Sequence, residues 1–371
     1  MKVRRRFLPV ALIALATGVQ AHHGFGTFDL EGEIELRGTV TGVDFVNPHS
    51  WVYLDVPGTN GEKEAWRCEM RAATVLRRSG WSKELFKPGD PIYIIGAPDK
   101  SDSRSCYLSL VVFADGSSAE RYGQLRETTP VENPVDRTPR LSSGKLNISG
   151  DWAPEQFVMS DPRGISGGLV PLSTAQGDAV DAPGGSPWRT SQVSYTEAGK
   201  QVADKFNLRS PEDNPRMRCE ITSIVFDWNF DGPINRIVQE NSEIIIQYGR
   251  HSFTRRVHMD LDSHPGSLAP SRAGHSIGRW DGDVLVVDTI GFLPGFLSPP
   301  VANSDQLHVV ERFSLDTNSF ILTREYEATD PVYYTDTYRG ADTMQLADLP
   351  YAPDECKELT FVDFDQQVSG D

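Results

Sequence analysis

Two histidines follow Ala21 in the stretch VQAHHGFGTFD, residues 19–29, where a secretory leader would be cut. A chain beginning at His22 chelates through its α-amino and imidazole nitrogens together, and one more histidine completes a nitrogen-rich, planar set that favours Cu(II). His22, His23 and His49, the last in NPHSW, are therefore the candidate metal ligands, with Asp29 as an accessory carboxylate and copper as the candidate cofactor. The competing expectation is a solvated tail and a polar residue in a proline-initiated turn.

Strand alternation yields a second group. In TRRVHMD, Arg256, His258 and Asp260 share one face and Arg255, Val257 and Met259 the other. In LHVVERF, Arg312 shares a face with His308 and Val310, and in ILTREYE, Arg324 and Tyr326 alternate with Thr323 and Glu325. If Arg256, His258, Asp260, Arg312 and Tyr326 face the inside of a barrel, they form a polar cluster in an apolar cup. Such a cluster orients a small ligand or runs acid–base chemistry, with His258 as base and Asp260 or Tyr326 as helper. The competing expectation turns these residues to solvent.

The segment GHSIGRWDGDVLVVDT carries three further possibilities. GHSIG matches the nucleophile elbow of esterases, which would make Ser276 a nucleophile, but the required strand–turn–helix context is missing. Asp281, Asp283 and Asp288 are a weak hard-cation pattern, because no compact loop of alternating oxygen ligands surrounds them. Trp280 is expected to plug one end of a barrel with Arg279 stacked over it, both counted as ligand contacts, and His275 is expected in a loop at the strand mouth, where binding groups commonly lie.

These residues need a scaffold. The basic cluster Lys2, Arg4, Arg5 and Arg6, the apolar run to Val19 and the small-x-small site ending at Ala21 read as a leader over residues 1–21. The run is too short to span a membrane, and the mature chain is expected in the periplasm or secreted. With 52 acidic against 36 basic residues the net charge is −16, and removing the leader makes it more negative. Nucleic acid and anionic membranes are poor partners for such a chain.

From Ile34 the pattern is three strands, a short helical stretch AATVLRRSGW and two strands, the order of a five-stranded OB-like barrel over residues 22–116. A polar, proline-marked linker is expected over 117–148, followed by a larger domain over 149–371. There, after a helix capped by Thr196, short antiparallel strands predict an up-and-down, calycin-like barrel or a sandwich. The fold class is all-β. Four cysteines in an exported chain read as two disulfides, and the domain boundaries favour Cys68 with Cys106 and Cys219 with Cys356.

AHHGFGTFD, GTVTGVDFVNPHSWVYLDV and KPGDPIYIIGAP together resemble a small histidine-starting domain of unknown function that recurs in exported proteobacterial proteins. YTEAGKQVADKF, RRVHMD, GHSIGRWDGDVLVVDTIGF and LHVVERF resemble a larger uncharacterised exported family that often follows it. The resemblance implies export and domain identity, and assigns no activity. The leading expectation is a periplasmic binding module or enzyme for a small, largely apolar molecule held in the second domain; a copper protein and a structural adaptor of an envelope assembly are the alternatives.

Overall fold

The computed structural model describes residues 28–126, 130, 136–159, 169–172, 189–190, 192–207, 210, 212–230 and 232–358. The leader, His22 and His23 lie outside these residues. No helix among them is long and apolar enough to cross a membrane.

The first sheet is built from β1 (Ile34–Asp44), β2 (Trp51–Pro57), β3 (Lys63–Glu69), β4 (Pro91–Pro98) and β5 (Ser105–Val112), with helix α1 (Ala73–Arg78) between β3 and β4 and a short β6 (Ser118–Glu120) added to β5. The strand order β3-β2-β1-β4-β5 closes on itself through a parallel β3–β5 pair, giving the expected five-stranded barrel. Cys68 and Cys106 are register partners in that closing pair and form a disulfide. Phe28, ahead of β1, lies on this barrel: it is 2% exposed and packs on Tyr107 with ring centroids 5.3 Å apart.

The second sheet begins with β7 (Gly150–Ala153). The pair β8 (Phe157–Met159) and β9 (Leu169–Pro171), the short β10 (Arg189–Thr190) and helix α2 (Glu197–Lys205) follow. The Thr196 hydroxyl caps α2 by accepting from the Gly199 N–H at 3.1 Å, as the sequence predicts. Then come β11 (Asn235–Gln239), β12 (Glu243–Gln247), β13 (Thr254–His258), β14 (His275–Asp281), β15 (Val284–Ile290), the hairpin β16 (Gly295–Ser298) with β17 (Val301–Asn303), and β18 (His308–Asp316), β19 (Ile321–Thr329) and β20 (Tyr338–Leu346). The order β20-β19-β18-β15-β14-β13-β12-β11-β7 closes through β20–β7, a nine-stranded barrel rather than a sandwich. Alternation writes this fold locally: β18 and β19 bury every second residue along their length. The hairpin from β14 to β15 turns at Gly282, φ +60°, and Asp283, one residue beyond the expected Asp281-Gly282 dipeptide, because Asp281 pairs with Val284.

One pairing departs from the expected meander. β13 and β14 run parallel, with Val257 opposite Ser276 and His258 opposite Ile277. Parallel neighbours cannot be joined by a tight turn. The connection 259–274 therefore crosses over the barrel wall, and it carries His264 with it.

The barrel interior is occupied by its own side chains. Trp152, Trp228, Tyr248, Val287, Val309, Phe313 and Leu322 form one buried cluster around a charged centre. Glu311 accepts from Arg255 Nη2 at 2.5 Å and from Arg324 Nη1 at 3.2 Å, while Arg324 also pairs with Asp342. Arg255 donates further to Ser276 Oγ at 2.9 Å and Thr289 Oγ1 at 2.8 Å.

The C-terminal segment fastens the barrels to each other. Asp348 accepts from Arg78 of α1 at 2.8 Å and from Arg126 at 3.0 Å, and Cys356 closes a disulfide on Cys219. Beside this strap His251 is buried, its side chain 2% exposed. Its ring lies 3.7 Å from Asp354, whose carboxylate already accepts from the His251 backbone N–H and the Asn47 amide. Desolvation, then the Arg250 and Arg216 charges, push the His251 pKa down to about 3. The sign follows from linkage: the unfolded chain takes up the proton first, so stability held above about pH 6.5 is lost as pH falls toward 3, by up to ~1.4 kcal/mol per pH unit. His251→Asn, a residue suited to the φ of +56° here, should flatten the slope of melting temperature against pH between 6 and 4.

Candidate functional site

Four of the eight histidines in the chain gather on the outer face of the second barrel. On β13, Arg255 and Val257 point inward, so His258 points out; on β14, buried Ser276 and Gly278 alternate with His275, Ile277 and Arg279. Ile277 sits between His258 on one side and Asp288 of β15 on the other. Asp288 is in turn opposite Val310 of β18, whose neighbour on that face is His308. The crossover lays His264 over this surface.

The contacts are specific. Asp288 Oδ1 accepts from Nε2 of His264 and from Nε2 of His308, each at 3.0 Å. His264 Nδ1 and His275 Nδ1 are 2.8 Å apart, and the His275 ring is stacked on His258 with centroids 5.0 Å apart and planes 14° from parallel. Gly274 makes the entry to β14 possible: it holds φ +65°, and a Cβ there would meet the Ile290 carbonyl oxygen at 2.6 Å. Burial opposes the Asp288 charge, but the hydrogen bonds and attraction of His264 and His308 outweigh it and hold the carboxyl below its ordinary range. Burial, then the neighbouring His258 and His264, lowers the pKa of His275, which favours its neutral form.

A groove of about 490 Å³ meets this face at Ile277; Met259, Leu261 and Trp280 line it among polar residues that include Lys145, Asp262 and Arg279, and none of the four histidines lines it. Ile277 belongs to both features. It lines the groove and separates His258 from Asp288 in the sheet register.

The sequence-derived residues divide between these places. His258 and His275 are brought together, although His275 is the first residue of a strand and not part of a loop. The expected inward-facing cluster does not form. Arg256 is exposed and paired with Glu243 at 2.7 Å, Asp260 is exposed, and Arg312 is on the outer face, while Tyr326 alone of the five is inside, 5% exposed and near Tyr338. β13 and β18 are out by one residue from the expected phase, because Arg255 and Glu311 are the charges that find each other inside. Trp280 packs against the barrel core as expected for a plug, with Lys145 rather than exposed Arg279 6.0 Å above its ring. Ser276 is 1% exposed, with its hydroxyl engaged by Arg255 and Thr289, and lies within a strand, so GHSIG is not a nucleophile elbow. Asp283 is paired with Arg140 at 2.7 Å, remote in role from Asp288.

In the first barrel, His49 Nδ1 is 2.7 Å from Glu69 Oε1, with the His49 side chain 33% exposed. Among the described residues, no group of three or more His, Cys, Asp or Glu is gathered as a bound metal ion requires. The sequence reading does not include His264, and it groups Asp288 with Asp281 and Asp283 and His308 with Val310 and Arg312 rather than with each other.

Residues 11–107 match a family of unknown function (DUF6152), a span that ends within β5 of the first barrel. No curated protein matches the chain.

Proposed function

We propose that this is an exported protein whose second barrel binds a small, largely apolar molecule in this groove, with the histidine face acting on its polar end. The observation that carries the reading is the continuity at Ile277 between a groove containing Trp280, Met259 and Leu261 and the His258–His275 pair. The apolar side chains supply contact area, and the polar and charged residues among them, Lys145, Glu240, Asp262 and Arg279, supply groups that can orient a ligand. Export rests on the leader-like N-terminus and on two disulfides, which persist in oxidising compartments.

The test uses 8-anilinonaphthalene-1-sulfonate, an apolar probe with one anionic group. Trp280→Ala removes the largest apolar wall and should weaken the probe by roughly 30-fold, about 2 kcal/mol. Equal affinity in the two proteins would remove the groove from consideration.

A second reading, copper binding in the first barrel, is favoured by the Glu69 contact. A carboxylate on Nδ1 fixes a histidine with Nε2 free to ligate, which is the usual outer-shell arrangement of a metal site. Phe28 itself, six residues after His22 in the sequence, packs on the same barrel. Intact mass together with copper content of the exported protein tests this: a terminus at His22 with one copper supports it, and loss of the metal in His49→Ala should follow. The adaptor alternative has no comparable support. Its mark is a sizeable apolar patch, whereas the exposed large hydrophobics among the described residues are Leu125, Leu261 and Leu293, from separate segments.

A further inference from the structure

The hydrogen-bond chain on the outer face fixes the proton positions of its members. An ionised carboxylate only accepts, so His264 and His308 both carry their proton on Nε2 where they meet Asp288 Oδ1 at 3.0 Å. In neutral His264 the other nitrogen, Nδ1, is then a lone pair. His275 Nδ1 lies 2.8 Å from it, and two lone pairs would repel at that distance, so His275 carries its proton on Nδ1 and donates. His275 is left with an unprotonated Nε2.

We propose that His275 Nε2 is a general base and that His264 and Asp288 form a proton relay behind it, an assignment that rests on the groove reading for its substrate but not for its test. The group it serves is a weakly acidic proton on a small apolar molecule, such as a phenol or an enolisable carbonyl compound. The step balances without a co-reactant. The ligand proton passes to His275 Nε2, the Nδ1 proton of His275 passes to His264 Nδ1, and the ligand leaves the step as its conjugate base. The outcome is a His264 imidazolium beside the Asp288 carboxylate and a neutral His275 in its other tautomer. That placement puts the positive charge on the ring that already meets the Asp288 carboxylate at 3.0 Å, which favours the transfer. The remaining neighbours are His258, which stacks on the His275 ring from β13, and His308, which shares Asp288 Oδ1 from β18. His264 and Asp288 are positioning residues here; His275 is the group that touches the substrate.

Long-range nitrogen-15 correlation spectra of the imidazoles, recorded on the ligand-free full chain near pH 8, test the assignment directly. The expected result is His275 protonated on Nδ1 with His264 and His308 protonated on Nε2. In Asp288→Ala the anchor is gone, so His275 should lose its single tautomer, and its acylation by diethyl pyrocarbonate should lose its preference over the other histidines. A neutral His275 protonated on Nε2 in the wild type would overturn the relay. So would stoichiometric Zn(II) binding that displaces both Nε2 protons, since that would make the same atoms metal ligands. Because no ligand is present, this can fail while probe binding at Trp280 succeeds, and the reverse.

Discussion

Glu311→Gln should lower the unfolding free energy by about 3–5 kcal/mol, read as a fall in the denaturant midpoint at pH 7. The substitution hardly changes shape; it removes one negative charge from the centre of the second barrel. Arg255 and Arg324 have side chains 1% exposed, and both donate to Glu311, whose side chain is fully buried. With glutamine there, Asp342 is left to balance both guanidinium groups, and it contacts only Arg324 among the two. Arg255 becomes a desolvated cation supported only by neutral groups, the hydroxyls of Ser276, Thr289 and Tyr248. The double variant Arg255→Met with Glu311→Leu should cost less than Glu311→Gln, because removing both partners leaves no uncompensated charge. A change below about 1 kcal/mol in Glu311→Gln would show that the pair is hydrated in solution, since exposed pairs contribute only that much.

The second large effect concerns the strap. Replacing Cys219 and Cys356 by serine opens a loop with a sequence separation of 137 residues. On the chain-entropy account a closure of that size stabilises the fold by up to about 5 kcal/mol. The loss should also be local. Cys356 pairs with Asn47 of the first barrel, the Lys357 N–H donates to the Asn47 carbonyl at 3.0 Å, and the Asp354 carboxylate accepts from the His251 N–H at 2.7 Å. Without the disulfide these contacts must hold the segment unaided. Limited proteolysis should cut near residues 350–358 in the variant well before either barrel unfolds. The paired serine variant cleaved no faster than the wild type would show that Asp348, held by Arg78 and Arg126, fixes the segment on its own.

Much of the architecture was readable because alternation and turn chemistry are local. The five strands of the first barrel, β11 to β15, β18 and β19 of the second and the Thr196 cap are written within a few residues of themselves, whereas β7 and β20, which close the second barrel on each other, carry no such local signal. Disulfide pairing followed from keeping each bridge inside one domain. The phase of β13 was not readable: TRRVH offers arginine on both faces, and only the distant partners, Glu311 inside and Glu243 outside, decide which one is buried. The same ambiguity attends Glu311 and Arg312 on β18. Tyr326 is inside with Arg324, which shares its face, and its surroundings are the Tyr338 ring and the Arg324–Asp342 pair rather than the other four residues of the expected cluster.

The candidate site was half visible for a related reason. His258 and His275 drew attention through their strands. His264 lies in the proline- and glycine-rich stretch DSHPGSLAP, whose position depends on β13 and β14 being parallel. A usable signal was present: the connection 259–274 is long for a hairpin, which points to a crossover. Four of eight histidines between residues 258 and 308 was a second one.

The central claim is that the groove and the histidine face it meets at Ile277 form one ligand site. Amide and indole shift mapping during titration of the full chain with 8-anilinonaphthalene-1-sulfonate tests it most directly. The account predicts that the largest changes fall on Trp280, Met259 and Ile277 and extend along the sheet to His258 and His275. Changes confined to the first barrel, or the absence of saturable changes near Ile277, would contradict it.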